Sequence, residues 1–397
     1  MENKSLVFDC EVTGAQRNRG NAFDPRNRLM CISAKGHGPA HIFNIEHGED
    51  PYANTLGLFQ QEVNRADVLV AFNAKFDMHW CKRYGIDFTG KKAWDCQLYH
   101  FFKTNQQGRM PSLDGVAAFY GLPVKPNIIK TEYWDKGLDT DQVPWDILEE
   151  YSLHDVDTTW EMYVQQMKEF EQLPQNRQNL ILLHMEDLLG LEEMEYNGTL
   201  YDVKRSLDMA ASLEVQINAI DAGLSRYCPN CSISFNSDRQ LSAFLYGGTV
   251  VKDEQETYIF TYKDPKKPPI EKKRWVKKNY VLPKIIEPLK GTDNQNGWSV
   301  DVGTLRTLLG KAKGFQRKIL EPLVLRSKLE KRMSTYCLGT PKLMDAMQWE
   351  HLLLHPSINQ CVAVTGRLSE TKPNLQNQDG EMRVCFPSRF SIGDTHG

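Results

Sequence analysis

The sequence predicts an α/β domain followed by a mainly helical one, and three observations predict it. Short apolar, β-rich runs come first in the chain, and helix-period stretches alternate with them later. From about residue 177 leucines recur at helical spacing. The length of 397 residues, with 41% hydrophobic and 25% charged residues, suits two or three domains with real cores.

The elements follow in order. Residues 6–12, 29–34 and 40–45 read as strands, with "GHGPA" turning the chain between the second and third. "DVLVAFN", residues 67–73, reads as a buried strand by length and composition. A helix is expected from Lys75 to about Gly85, and "PSLDGVAAFYGLP" reads as another, closed by Gly121 and Pro123. Pro144 suits the first turn of a long helix, and the α/β domain is expected to end near residue 174. Beyond it, Leu180, Leu183, Leu188 and Leu191 mark a helix, "NG" turns the chain, and a second helix follows.

Composition narrows the function classes. No run of about 18 apolar residues exists, so no membrane partner is expected. "MENKSLVFDC" lacks the apolar stretch of a signal peptide. Nine scattered cysteines fit reduced thiols in the cytoplasm, and "CPNC" at 228–231 has no second pair with which to build a zinc site. Charge is segregated. Residues 250–340 carry 20 Lys and Arg against 10 Asp and Glu, and the remainder carries 28 against 41. Such a chain suits a polyanion held by one part and cations bound by the other. The basic excess peaks in "KDPKKPPIEKKRWVKKNY", residues 263–280, whose Pro and Lys content reads as an exposed hairpin or loop.

"LVFDCEVTG", residues 6–14, places Asp9 and Glu11 at alternate positions of an apolar strand, so both point the same way. Two buried like charges repel unless a cation or donors compensate. "VAFNAKFDMHW" adds Asp77 just after the buried strand, and "YSLHDVDTTW" sets Tyr151 and Asp155 four apart on a helix. A lone helical Asp is ordinarily only solvated, so the weight lies in the combination. Four acids with no His or Cys companion suit two Mg2+ or Mn2+ ions, about 3.5–4 Å apart in phosphodiester hydrolysis. Tyr151 would orient the water, since a phenol titrating near 10 is protonated at neutral pH.

"FDCE", "NAKFD" and "YSLHD" resemble, in order, the three motifs of the DnaQ-like 3′–5′ exonucleases, and the set resembles the proofreading domain of family A DNA polymerases. The resemblance implies a ribonuclease H-like fold with Asp9, Glu11, Asp77 and Asp155 as metal ligands. It implies Tyr151 as a further catalytic residue and Asn73 as a contact to the single strand. Glu150 stands where another subclass has His, which gives the tyrosine subclass, and Cys10 stands where Thr is common.

The second half carries the resemblance further. "EYNGTLYDVKRSL" is similar to the start of the thumb, and "KLEKRMSTYC" to the thumb helix along the duplex. There Lys328, Lys331, Arg332, Ser334 and Thr335 would supply phosphate contacts. "VTGRLSETKPNLQNQ", residues 364–378, closely resembles the segment entering the palm. It implies Arg367 in the minor groove, whose acceptors look alike for every base pair, with Asn374 and Gln376 near the duplex. Residues 250–298 look like an insertion or enlarged thumb tip.

The expected organisation is an exonuclease domain over 1–176, a thumb over 177–355 with the basic insertion, and the start of the palm over 356–397. "MRVCFPSRFSIGDTHG" stops before the acids and fingers a full family A polymerase would carry. A second chain bearing palm and fingers is therefore expected unless the sequence is truncated. The expected partners are a single-stranded 3′ end, primer–template duplex and a processivity factor. The expected location is the cytoplasm, that of the host if a phage encodes the chain. The rival readings are a non-catalytic DNA-binding subunit and a stand-alone DNA or RNA exonuclease.

Overall fold

The computed structural model describes residues 4–48, 55–124, 128–295 and 297–389. β1 (Ser5–Val12) leads through the one-turn α1 (Ala15–Asn18) to β2 (Leu29–Lys35) and β3 (His41–Asn44). α2 (Thr55–Arg65), β4 (Val68–Ala71), α3 (Ala74–Arg83), β5 (Lys92–Asp95) and α4 (Cys96–Lys103) follow. α5 (Leu113–Phe119) and α6 (Ile128–Glu132) precede the long helices α7 (Trp145–Glu171) and α8 (Gln175–Asn197). The chain continues through β6 (Thr199–Leu200), α9 (Val203–Ser225) and α10 (Asp238–Tyr246) to the paired strands β7 (Gly248–Phe260) and β8 (Ile270–Leu282). The short β9 (Asp293–Asn294) and β10 (Gly297–Trp298) come next, then α11 (Val302–Lys311) and α12 (Gly314–Lys331). α12 runs into π-helical turns over Arg332–Leu338 and then α13 (Gly339–Met347), before β11 (Leu353–Leu354), β12 (Ser357–Asn359) and β13 (Ser369–Thr371).

The chain packs as two units, Met1–Val203 with Thr340–Gly397, and Lys204–Gly339. In the first, five strands form a mixed sheet in the order β3-β2-β1-β4-β5. β1, β2 and β3 pair antiparallel, whereas β4 and β5 run parallel to β1. β1 is central, and all its residues but Asp9 are buried. Such two-sided burial needs helices on the sheet, and α7 packs against β1 and β2 while α3 packs against β1, β4 and β5. The strands expected at 6–12, 29–34, 40–45 and 67–73 coincide with β1 to β4 within a few residues. β5 gave no such signal because only four residues, "KAWD", separate a turn from a helix cap. In α8 the expected leucine stripe divides. Leu188 and Leu191 are buried with Ile181 and Met185, but Leu180 and Leu183 are exposed. The face that reaches the core recurs at 181, 185, 188 and 192, so two of the four leucines point the other way.

Three constraints fix the segments that carry the acids. Asp95 ends β5 and caps α4, accepting backbone N–H bonds from Gln97 and Leu98; it also accepts from Asn73 and Ala74, 2.8–3.3 Å in all, where α3 begins. α3 is held to α8 through Lys75 on Glu195 (2.5 Å) and Lys82 on Glu192 (2.7 Å). His79 lies between them, its pKa lowered to about 3 by burial, so it is neutral there. Glu195 also accepts the Ile358 N–H at 2.5 Å. Buried pairs of this kind fix register more than they add stability. After β1, Gly14 sits at φ 88°, and a Cβ there would lie 2.1 Å from the Asn27 Oδ1. Its N–H donates to both Asp139 oxygens.

In the second unit α9 to α12 enclose a separate core around Phe244, Leu245, Leu305, Ile319 and Leu320. Cys228 and Cys231 of "CPNC" are buried in that core as free thiols. The Arg326 guanidinium lies across Asp221, with contacts at 2.5 and 3.0 Å. The basic stretch expected as a hairpin or loop is the β7–β8 ribbon. No helix among the described residues is long and apolar enough to cross a membrane.

One helix cap in each unit has a measurable effect on stability. Asp95→Ala strands four backbone donors and is expected to lower the unfolding free energy by about 3 kcal/mol in urea titrations. Asp301 caps α11 through the Gly303 and Thr304 N–H groups, and the Ser299 hydroxyl with these donors holds its pKa at about 2. A depressed pKa gives stability that is present above the ordinary carboxylate value and lost as pH falls through the folded one. Asp301→Ala should therefore cost about 1 kcal/mol at neutral pH, a gap that narrows from about pH 4 and closes below about pH 2 in the same titrations.

Candidate metal centre and nucleic-acid contacts

The pleat of β1 turns Asp9 and Glu11 to one face, while the Cys10 thiol goes to the other, 3.6 Å from the Cys81 sulfur. On α7, Tyr151 and Asp155 are one turn apart, and α7 crosses the same strand. The result is a cluster in which carboxylate oxygens of Asp9, Glu11 and Asp155 lie within 4.8 Å of one another. Glu11 and Asp155 are buried and Asp9 is half-buried. Among the described residues no other three His, Cys, Asp or Glu side chains are gathered this way.

Asp77 stands beside this trio rather than in it. It lies in the first turn of α3, 2% exposed, and its Oδ1 accepts the Cys10 N–H at 3.0 Å, between the two acids of β1. Burial, then the charge of Asp9, raises its pKa well above the ordinary carboxylate value. Tyr151 packs with Met30, Cys31, Val143 and Leu148. Burial, then the charges of Glu11 and Asp155, pushes its phenol far above the ordinary value, so it holds its proton throughout the physiological range. Asn73 precedes α3 in the left-handed region, φ 65°, which Asn tolerates better than most residues.

The acids open onto a cleft of about 530 Å3, whose walls also include Arg19, Phe76, Lys130 and Trp134. Sequence reasoning did not single out these four, nor Asp95 and Asp139, which tie down the flanking backbone. Phe76 was legible beside Asp77 in "NAKFD". Lys130 and Trp134 come from a segment with no strand or long helix and gave no signal.

The other nucleic-acid candidates fall in both units. In the second, Lys328, Lys331, Ser334 and Thr335 are exposed at the end of α12 and in the π-helical turns. The Ser334 hydroxyl donates to the Glu330 carbonyl. Arg332, expected among the phosphate contacts, is 3% exposed and is therefore not displayed to solvent with them. In the first unit Arg367 is exposed between β12 and β13. The Glu370 carboxylate accepts the Leu375 and Gln376 N–H groups, and the Asn374 side chain accepts the Asn377 N–H. These bonds shape the "PNLQN" turn and leave the Gln376 side chain exposed.

Comparison with known proteins relates the chain to DNA polymerases. The family model for DNA polymerase family A matches residues 277–385. DNA polymerase I of Synechocystis is 25% identical over 311 residues, covering 77% of this chain and 26% of that protein. A DNA polymerase of Bacillus phage SP01 is 23% identical over 369 residues, covering 82% and 37%. DNA polymerase I of Geobacillus stearothermophilus is 26% identical over 209 residues, covering 52% and 19%. The chain thus spans between a fifth and about two fifths of these relatives. Among solved structures, the POL domain of Pol1 from M. smegmatis, in complex with DNA primer-template and dNTP, superposes with a TM-score of 0.62. It is 16% identical, over 97% of this chain and 54% of that one, a likeness of fold. The matched segment and these relatives agree, so the chain is similar to the family A DNA polymerases.

Proposed function

We propose that this chain is a metal-dependent 3′–5′ exodeoxyribonuclease of the tyrosine subclass, the proofreading portion of a family A DNA polymerase acting in DNA replication. The observation that carries the reading is the trio Asp9, Glu11 and Asp155, with oxygens within 4.8 Å of one another. The strand order β3-β2-β1-β4-β5, with three antiparallel and two parallel strands, supports a ribonuclease H-like fold, which sets its acids on the central strand.

The donor set fits hard divalent cations. It is all oxygen, it is crowded with like charge, and it includes no His or Cys. Asp9, Glu11 and Asp155 would hold one Mg2+ or Mn2+, and Asp9 with Asp77 a second. Such ions supply an activated water and stabilise the departing oxygen of a phosphodiester. The chain's own residues do the rest. Tyr151, protonated, donates its hydroxyl hydrogen bond and orients the attacking water without taking its proton. Phe76 and Trp134 offer apolar walls to the terminal base, and Lys130 and Arg19 offer positive charge to the phosphates. Asn73, at the entrance to α3, contacts the strand. The preferred substrate is a frayed 3′ end, because unpairing costs least where the duplex is already weakened. Lys328, Lys331, Ser334, Thr335, Arg367 and Gln376 contact the primer–template duplex under the same reading.

Digestion of a 3′-labelled single strand tests it. Asp9→Asn with Glu11→Gln should reduce the rate by more than about a hundredfold, since even second-layer changes cost 10- to 100-fold. Mg2+ or Mn2+ should raise the melting temperature of the parent and leave that of the double variant unmoved. Undiminished digestion by the folded variant would overturn the reading. Tyr151→Phe should lose up to about a hundredfold in rate through misplacement of the water. No pH limb near neutrality should vanish with it, whereas a tyrosine acting as base would take one away.

A further inference from the structure

The β7–β8 ribbon has no part in the proposed nuclease chemistry. Its thirteen residue pairs run from Gly248–Leu282 to Phe260–Ile270. Of all these residues only Val250 and Leu282, at the base, are buried. Everything beyond them is exposed or half-exposed, with Ile259 and Trp275 each at 70%.

Charge divides the ribbon along its length. The base half, residues 248–257 and 275–282, has three Lys against three Asp and Glu. There Lys278 pairs with Glu254 at 3.0 Å. The far half, residues 258–274, has six Lys and Arg against two acids. That excess is interleaved with rings. Arg274 lies 5.2 Å from the Tyr258 ring centre, Lys272 lies 3.7 Å from that of Phe260, and Lys267 lies 5.5 Å from that of Tyr262. Phe260 and Tyr262 meet edge to face at 5.2 Å. Trp275 projects from the opposite face of the ribbon, since its register partner Gln255 alternates with Glu256 and Glu254.

We propose that the far half of this ribbon, together with Trp275 at its boundary, is a binding site for single-stranded nucleic acid. Its lysines engage successive phosphates, and Trp275 stacks on an unpaired base. A cluster of cations alone suits any polyanion. Aromatic rings between the cations select one that also presents flat π-faces, and only an unpaired strand leaves those faces open. An acidic polypeptide satisfies the lysines but has no use for an exposed indole flanked by Lys273 and Lys277.

The test is anisotropy of fluorescein-labelled dT30 with the full chain in EDTA, across a series of NaCl concentrations. Excluding divalent ions stops digestion, so the result does not depend on whether the chain is a nuclease. Lys263→Gln, Lys266→Gln and Lys267→Gln together should flatten the slope of log affinity against log salt by about 2, at roughly 0.7 for each phosphate no longer neutralised. Trp275→Ala should weaken binding about tenfold and leave the slope unchanged. Both positions are on an exposed ribbon, and unchanged melting temperatures would verify folding. Parental affinity and slope in both variants would overturn the proposal. So would polyglutamate displacing dT30 equally well from the parent and from Trp275→Ala, which would make the ribbon a site for acidic protein.

Discussion

Like charges on one end of β1 are the constraint on which the rest of the first unit depends. Strand alternation puts Asp9 and Glu11 on one face, and α7 brings Asp155 to within 4.8 Å of both. At an effective dielectric near 20, two unit charges about 4 Å apart repel by about 4 kcal/mol. A fold left to relax would spread such acids into water. Contacts outside the cluster help to hold them. Asp95 draws the start of α3 onto the end of β5, two Lys–Glu pairs pin the far side of α3 to α8, and Asp139 anchors Gly14 where the chain leaves β1. Each of these contacts opposes the drift of a segment that bears an acid. Under the proposed nuclease reading, a cation held between the carboxylates would offset that repulsion.

Asp77 shows how local this balance is. Its Oδ1 is occupied by the Cys10 N–H, a bond that favours the charged form, yet burial and Asp9 raise its pKa nonetheless. A cation arriving at the trio would reverse the effect of Asp9, because it screens that charge. Tyr151 is shifted in the same direction, by burial first and then by the charges of Glu11, Asp155 and Asp9, so its phenol holds its proton.

Much of this was legible in the sequence, for identifiable reasons. β1 to β4 are dense in apolar residues, and α7 is long, with a proline at its start. The pair Tyr151 and Asp155 needs only helical spacing to share a face. Features that depend on partners far along the chain were not legible. Asp95 looks like an ordinary helix cap, and nothing local says that it also accepts N–H bonds from a turn 21 residues earlier. Glu192 and Glu195 look like solvated acids until α3 supplies their lysines. Arg332 sits in a basic helix among exposed cations, and only the folded structure shows that it is covered. In α8 two exposed leucines mimicked a buried stripe, because hydrophobicity marks what can be buried and not what is.

The ribbon of the second unit poses the opposite question, since there charge is displayed and not confined. One ordinary explanation for lysines on a two-stranded ribbon is protection of its edges, whose unpaired backbone groups invite another strand to add. That explanation predicts cations wherever the edge is exposed. The base half is exposed beyond Val250 and Leu282, yet its charges balance and one pair across the strands. The far half carries the entire excess, together with three rings that already hold a cation each. Edge protection is indifferent to that gradient and to an indole left 70% exposed at the boundary. A ligand that is both anionic and flat-faced accounts for the position of the charge, the interleaving of the rings and the exposure of Trp275 at once.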